Sequence, residues 1–569
     1  MGTISDKLMR IINTKEDIRQ ALISKGYDVP TSIPFKEYAK MISDLPCRVD
    51  SFPDIEGIVA RYSALGLTNE QMAANPVWVD KTGNGHDLQM KNFAWKEGSG
   101  ISDIYPGALV FDGVDDYGTC DNFPVLTKEK GYTVVALRSY LAESIGYLVY
   151  NGTNAKQSAF AFERSDSLDT WSWGKNSSIR NSLPKLMSYQ TSNSYNNNPI
   201  STGEVVESNN IINVAYAGGY CNVAIWEIVI LDHDATEEEL TKIKDYFVKT
   251  YPWLFPDQAW TVVGKTNEDK DRATIANITG NGNDLILSNF GFAEGSGYGL
   301  YGFKFFSKAG IEYYSGSKIS FSKHQLDQIT LIPYILVYPG TSYPREKDIT
   351  AKIKVAGLKE GVSLTWGWAG NTELTITEDG TYSISAGSGK LRQLDVVYAE
   401  GFDPDHVVTI EQIPEYEGYL VTDGVDDKIV SAKSIAFTDT WTIITDAIFL
   451  GEKVVSAGIL VKDIFGVSNL MEYGRVEVSV KGGVLLKVPT PSIKAICSDG
   501  RIYDADWNEY QAEPGTIKVS EGTLIIGMWY NGIQFCSIAF KNLGIYNDQL
   551  LSKDYCIKAY NYLQTLKAK

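Results

Sequence analysis

The chain carries the same text twice, and that limits what it can fold into. TGNGHDLQMKNFAWKEGSG at 82–100 returns as TGNGNDLILSNFGFAEGSG at 279–297, an offset of 197 (82 to 279). LVFDGVDDYG, built on Asp112-Gly113-Val114-Asp115-Asp116, returns as LVTDGVDDKI, built on Asp423-Gly424-Val425-Asp426-Asp427, at an offset of 311 (112 to 423). CNVAI at 221–225 matches CSIAF at 536–540, at an offset of 315 (221 to 536). Three markers in one order describe a duplicated domain, too long for a solenoid repeat. Between the first and second markers the offset jumps from 197 to 311. Copy two therefore holds about 114 residues without a counterpart (311 − 197), and an extra domain is expected within roughly 298–418.

A prior of ~150 residues per domain gives roughly four domains for 569 residues, which agrees with two copies, one insert and a short opening segment. Abundant aromatic residues and Gly, with few long apolar helical runs, point to a mainly β protein. The net charge of −18 repels phosphate backbones and anionic membrane surfaces. Nucleic acid is thus not an expected partner. No apolar run reaches the ~18 residues of a membrane span, and MGTISDKLMR has no apolar signal region. The six Cys have no CxxC and no metal-type spacing, so they are expected to be buried thiols from a reducing cytosol.

At the start, Ile4, Leu8, Ile11, Ile18 and Leu22 recur at helical spacing, and Gly26 sits where a helix would stop. Phe35, Tyr38, Ala39 and Ile42 lie on one face of a second short helix. Two such helices cannot bury a core alone, so 1–47 is expected to pack on a partner or trimerise. From 54 to 255 short strands alternate with Gly, Asn and Asp turns, ending in a strand at 223–231 and a helix at 236–251. Thr236 caps that helix ahead of Glu237, Glu238 and Glu239, carboxylates that its N-terminus favours. Copy two, 257–569, is expected to end likewise, with a strand at 538–546 and a helix from Ser552 to Lys567. Its insert, placed at 330–417, alternates apolar and polar residues as a small β-sandwich would, Ig-like or jelly-roll.

The FDGVDDY motif, followed by an apolar strand and an acid-capped helix, resembles concanavalin-like or laminin-G-like domains. The resemblance implies two antiparallel β-sandwiches over 54–255 and 257–569, although Thr422 and Lys428 depart from the motif in copy two. The opening GTISDKL…TKEDIRQALISKG…IPFKEYAKMI is similar to a short module on tail-fibre and head-fibre proteins of tailed phages, particularly phages of gut Bacteroidales, crAss-like phages among them. That resemblance implies a virion protein made in the host cytoplasm and released by lysis. It would be anchored to capsid or tail proteins through 1–47, trimeric, and would display lectin-like domains to host-surface glycan. A capsid-decorating protein making only protein contacts, and a capsular polysaccharide depolymerase, are the alternatives.

Trp171 with Trp173, and Trp366 with Trp368, place two indoles on one face of a strand, either as a platform for sugar rings or as core. No cofactor is expected, with Ca²⁺ as the one exception. Asp115 with Asp116, and Asp426 with Asp427, are hard oxygen ligands that suit Ca²⁺ if the turn persists; otherwise their side chains serve backbone N–H groups. Glycan-cleaving sandwiches often carry a Glu-x-Asp-x-x-Glu or Glu-x-Asp-x-Glu strand, neither of which occurs here. Glycoside hydrolysis needs a carboxylate pair of that kind, and a non-enzyme is expected.

Overall fold

The computed structural model describes residues 15, 19 and 52–568, apart from 127–130, 143–145, 153–157, 167–168, 174–185, 192–209, 281, 293–295, 301–303, 307–312, 316–317, 324–333, 339–348, 369–370, 387–391, 451–454, 471–474, 517–520 and 529–533. The helical segment expected at 1–47, with Ile4, Leu8, Ile11, Ile18, Leu22, Phe35, Tyr38 and Ile42, lies outside the described residues. What is described is mainly antiparallel β-sheet.

Copy one runs through β1 (Ile58–Ser63), β2 (Val77–Trp78), β3 (Leu88–Lys91), β4 (Gly100–Ser102), β5 (Ala108–Asp112), β6 (Tyr117–Cys120) and β7 (Thr133–Tyr140). It continues through β8 (Val149–Gly152), β9 (Ser158–Asp166), β10 (Asp169–Trp173), β11 (Met187–Thr191), β12 (Ile212–Val214) and β13 (Asn222–Leu231). One sheet has the order β11-β7-β13-β5-β4, with β1 on β13, and faces a second ordered β10-β9-β8-β12-β6-β3-β2. Leu88, Met90, Phe111, Val134, Ile212, Val223 and Ile228 fill the space between them. At its edge Arg61 reaches the buried Glu227, Nε to Oε1 at 2.6 Å, and donates from Nη2 to Tyr246 Oη at 2.7 Å. Tyr251 Oη donates to the other Glu227 oxygen at 2.7 Å, so the buried carboxylate has partners on both oxygens.

Copy two repeats this plan with two eight-stranded sheets. The helix Glu237–Thr250 carries the expected capping box of Thr236 and Glu239, and Ser552 caps the helix Lys553–Gln564. The insert is two five-stranded sheets and begins at Lys304, not at 330. One sheet joins Lys304–Phe306, Tyr334–Tyr338, Arg392–Tyr398, Val362–Trp368 and Asn371–Ile376. The other joins Tyr313–Ser315, Lys318–Ser322, Val407–Ile413, Ile349–Ala356 and Gly380–Ala386. Its three opening strands are too short for a period of two to stand out, which is why the sequence boundary fell late. The chain leaves the sandwich after the strand Gly297–Leu300 and returns in Glu415–Val421, and these two strands are antiparallel neighbours.

The copies do not fold apart from one another. The outer face of the β5-β7-β13 sheet, with Val110, Leu137, Trp226 and Val229, joins the outer face of copy two's matching sheet, with Ile444, Ala495, Tyr503 and Tyr546, in one apolar core. Both terminal helices enter it. Tyr562 meets Trp226 edge-on at 6.4 Å, Trp253 lies 5.0 Å from Tyr555, and Tyr546 Oη donates to the Trp253 carbonyl at 2.9 Å. Burying an indole such as Trp253 removes ~200 Å² from water, about 5 kcal/mol at 25 cal/mol per Å². Trp253→Ala should cost about 3–5 kcal/mol. In calorimetry the parent should unfold both sandwiches in one transition and the variant in two; two separate transitions in the parent would contradict a shared core.

Candidate functional site

The three repeated markers, far apart in sequence, meet in one clasp. Asn92 Nδ2 donates to the Asp115 carbonyl at 2.9 Å, and Asn289 Nδ2 to that of Asp426 at 2.9 Å. Both asparagines are left-handed, with φ of 68° and 70°, a conformation Asn tolerates. Ser296 Oγ donates to Asp427 Oδ2 at 2.6 Å, and Ser99 is hydrogen-bonded to Asp116 in the same way. The third marker closes the clasp from below. A Cβ at Gly113 would lie 2.8 Å from Asn222 Cβ, and one at Gly424 would lie 2.7 Å from Ser537 Oγ. Only glycine fits there, at φ of 77° and 74°.

Within the clasp, Asp112 Oδ1 accepts from Val114 N at 2.7 Å and Asp115 N at 3.3 Å; Asp423 Oδ1 accepts from Val425 N at 2.8 Å and Asp426 N at 3.3 Å. The side chains of these first aspartates thus serve the turn's own backbone. Asp116 and Asp427 are buried, and their Oδ2 atoms accept from Asp112 N at 3.1 Å and Asp423 N at 2.8 Å. Their Oδ1 atoms have no hydrogen-bond partner among the described residues. Asp115 and Asp426 are exposed, and each triplet offers carboxylate oxygens within 4.8 Å of one another. A cation such as Ca²⁺ would have to share them with the turn.

Burial pushes the Asp116 and Asp427 carboxyls up to about 6, against the pull of the Ser99 and Ser296 hydrogen bonds and the Asp112 and Asp423 N–H groups. Neighbouring Asp112 with Asp115, and Asp423 with Asp426, push the same way as burial. A carboxyl raised above its unfolded value of ~4 contributes stability that is complete below that pH and is lost as pH climbs through about 6. Asp116→Asn with Asp427→Asn should therefore gain melting temperature relative to the parent as pH rises from about 4 to about 7. A difference that stays flat across that window would mean that these carboxyls are not held protonated. A Ca²⁺-dependent rise in the parent, lost in the variant, is the signature of an occupied cation site.

Beside the copy-one clasp stands a group of tyrosines. Tyr117 follows Asp116 directly, while Tyr216 and Tyr220 face one another across a tight hairpin closed at its base by Cys221 N on the Ala215 carbonyl at 3.0 Å. Ring centroids lie 5.2 Å apart for Tyr117 and Tyr216, 5.0 Å for Tyr216 and Tyr220, and 6.3 Å for Tyr117 and Tyr220. Ala215, at the hairpin's entry, is left-handed with φ of 60°, and Tyr216 after it is 36% exposed. Val114, at the tip of the neighbouring turn, is 70% exposed. Partial desolvation, then Tyr216, Tyr117 and Asp115, hold the Tyr220 phenol above its ordinary value, so it stays neutral and able to donate. In copy two Lys428 stands at Tyr117's place and Met528 and Phe535 form the hairpin bridge, while residues 529–533 between them lie outside the described residues.

The indole pairs fall elsewhere. Trp171 and Trp173 lie in β10, in register with Arg164 and Ala161 across a bulge, and their side chains lie outside the described residues. Trp366 is 3% exposed in the insert's core and donates from Nε1 to the Ser385 carbonyl at 3.1 Å. It fills the sandwich and cannot serve as a sugar platform; the Trp368 side chain lies outside the described residues. Sequence reasoning passed over Tyr216 and Tyr220. Their signal is YAGGY, two tyrosines flanking a Gly-Gly turn, which brings the rings together only if the turn is a hairpin.

No protein-family model and no curated protein matches the chain. Solved structures do. A botulinum neurotoxin type C structure, whose cell entry depends on two ganglioside molecules, is 9% identical over 86% of this chain and 97% of its own, with a TM-score of 0.23. The Trypanosoma rangeli sialidase in complex with sialic acid is 11% identical, with a TM-score of 0.21. This chain spans 38% of the sialidase's length, and the match covers 38% of this chain. A tandem CBM22 domain of Paenibacillus barcinonensis Xyn10C is 11% identical over 64% of this chain and 92% of its own, with a TM-score of 0.14. At these scores the likenesses carry no argument about function, which has to come from the chain's own chemistry.

Proposed function

We propose that this chain is a carbohydrate-binding attachment protein that holds glycan on the Tyr117, Tyr216 and Tyr220 group of its first sandwich without cleaving it. The observation that carries this reading is the clustering of three tyrosines on an outer surface, one of them exposed, next to an exposed carboxylate. A tyrosine offers an apolar ring face to sugar C–H groups and a phenol to hydroxyls. Held by a hairpin on a rigid sheet, such a group loses little entropy when it binds.

The setting we propose is a tailed-phage virion, supported by the similarity of GTISDKL…IPFKEYAKMI to phage fibre and head-fibre modules. Residues 1–47 would attach a homotrimer to capsid or tail, and the sandwiches would reach host-surface glycan. Deleting 1–47 should abolish incorporation into particles and leave the remainder folded; particles that still take up the truncated chain would sink the anchor.

Tyr216→Ala with Tyr220→Ala should lower affinity for surface polysaccharide at least tenfold, ~1.4 kcal/mol. Because the hairpin is at the surface, the melting temperature should move little, by about 0.5 kcal/mol of stability at most. Co-elution of intact sugar with the parent, lost in the variant, is the expected result. Retained binding, or shortened sugar, would overturn the reading.

A further inference from the structure

The three tyrosine rings form a closed triangle and not a row. In the order Tyr117–Tyr216, Tyr216–Tyr220 and Tyr117–Tyr220, the centroids stand 5.2, 5.0 and 6.3 Å apart and the planes are tilted by 41°, 33° and 49°. A cation above the middle of such a triangle has all three centroids within the ~6 Å over which a ring face attracts it. None of the three rings is buried: Tyr216 is exposed, and Tyr117 and Tyr220 are half-buried. Backbone bonds hold Tyr216 and Tyr220 in place, Ala217 N donating to the Gly219 carbonyl at 3.1 Å and Cys221 N to the Ala215 carbonyl at 3.0 Å.

The charges around the triangle suit a cation. Asp115 is exposed, two residues before Tyr117, and near enough to the Tyr220 phenol to help hold its proton on. Asp112 Oδ1 and Asp116 Oδ2 serve the backbone of the turn, so Asp115 is the turn's solvent-facing anion. The basic residue in register with Tyr117 is Lys91, and it lies on the other side: β6 has β3, with Lys91, along one edge and β12, which leads into the Tyr216 hairpin, along the other. A net charge of −18 draws cations to the whole chain and repels polyanions. The kind of cation follows from the donors it would bring. A primary ammonium is strongly hydrated and carries three N–H donors, for which three ring faces and one carboxylate offer too few acceptors. A quaternary ammonium has no N–H to satisfy and lays its methyl groups on the rings.

We infer that Tyr117, Tyr216, Tyr220 and Asp115 form an aromatic cage for a trimethylammonium group, and that the glycan held by this chain is one that carries such a group, as a choline substituent does. This rests on the glycan-binding reading of the tyrosines and names what they select. The ring faces attract the charge and cover the methyl groups, Asp115 balances the charge from the side, and the sugar hydroxyls are left to the phenols.

Titration calorimetry on the full chain compares choline with 3,3-dimethylbutan-1-ol, the same shape with carbon in place of the charged nitrogen. Choline should bind at least about tenfold more tightly; equal binding of the two overturns the cage. Tyr216→Ala should weaken choline binding by about tenfold or more, and Tyr117→Lys, which installs the residue of copy two, should abolish it. Asp115→Asn guards against a folding defect, because the Asp115 side chain is exposed while its backbone N–H and carbonyl make the bonds of the turn; it should cost about threefold, less at high salt. Lys91→Gln should strengthen binding about twofold. A polysaccharide bearing choline should co-elute with the chain and be released by free choline, and the same polysaccharide stripped of choline should not bind. Polysaccharide that stays bound in excess choline but is lost with Tyr216→Ala overturns the cage and leaves the glycan platform standing. Choline binding without retention of the choline-bearing polysaccharide overturns the glycan as carrier, whether or not a trimethyllysine peptide is retained in its place. Binding of neither choline nor any polysaccharide removes both readings.

Discussion

Each sandwich has a sheet whose outer face is as apolar as its inner one, and neither can cover that face alone. Trp226, Val229 and Leu137 on copy one, and Ile444, Ala495 and Tyr546 on copy two, are buried only because the two sheets and their terminal helices share a core. Trp253 sits where they meet, with Tyr251 against one side and Tyr555 and the Lys558 ammonium against another. The other faces of these two sheets are buried inside their own sandwiches, so it is the second sheet of each sandwich that turns a face away from this common centre.

The two outward faces have diverged while the frame beneath them has not. Asn92 and Asn289, Ser99 and Ser296, and Gly113 and Gly424 perform the same tasks in each clasp. These residues are fixed by backbone geometry: a left-handed Asn, a serine serving a buried carboxyl, a glycine against a neighbouring chain. Positions that only face outward were free to change, and Thr119 against Val430, or Tyr117 against Lys428, is the outcome. Repetition in this chain marks what holds the fold, and difference marks the positions that the frame leaves free.

This explains what could be read from sequence. The duplication, both capped helices and the mainly β character follow from local signals, because Thr236 and Ser552 act within one turn of chain. The three markers were visible as text, but their convergence was not, since Asn289 and Asp426 meet across 137 positions. The insert's first strands, three to five residues long, are too short for a period to register. Trp366 shows the limit of residue type as a guide: an indole pair on a strand reads alike whether it faces solvent or core, and the sheet packed over it decides. The Tyr117, Tyr216 and Tyr220 group needed the pairing of β6 with β12 before it could be seen at all.

The insert hangs from two strands that are each other's partners, with Gly297 opposite Val421 and Leu300 opposite Glu415. A guest held by one paired ribbon inherits the direction of the sheet that launches it, and its host can lose or exchange it without opening the core. The same ladder that would close with a short hairpin closes here around a whole domain. Such a junction is a cassette port, through which the reach and outer surface of the second sandwich could be rewritten while the paired ribbon and the buried centre below it stay unaltered.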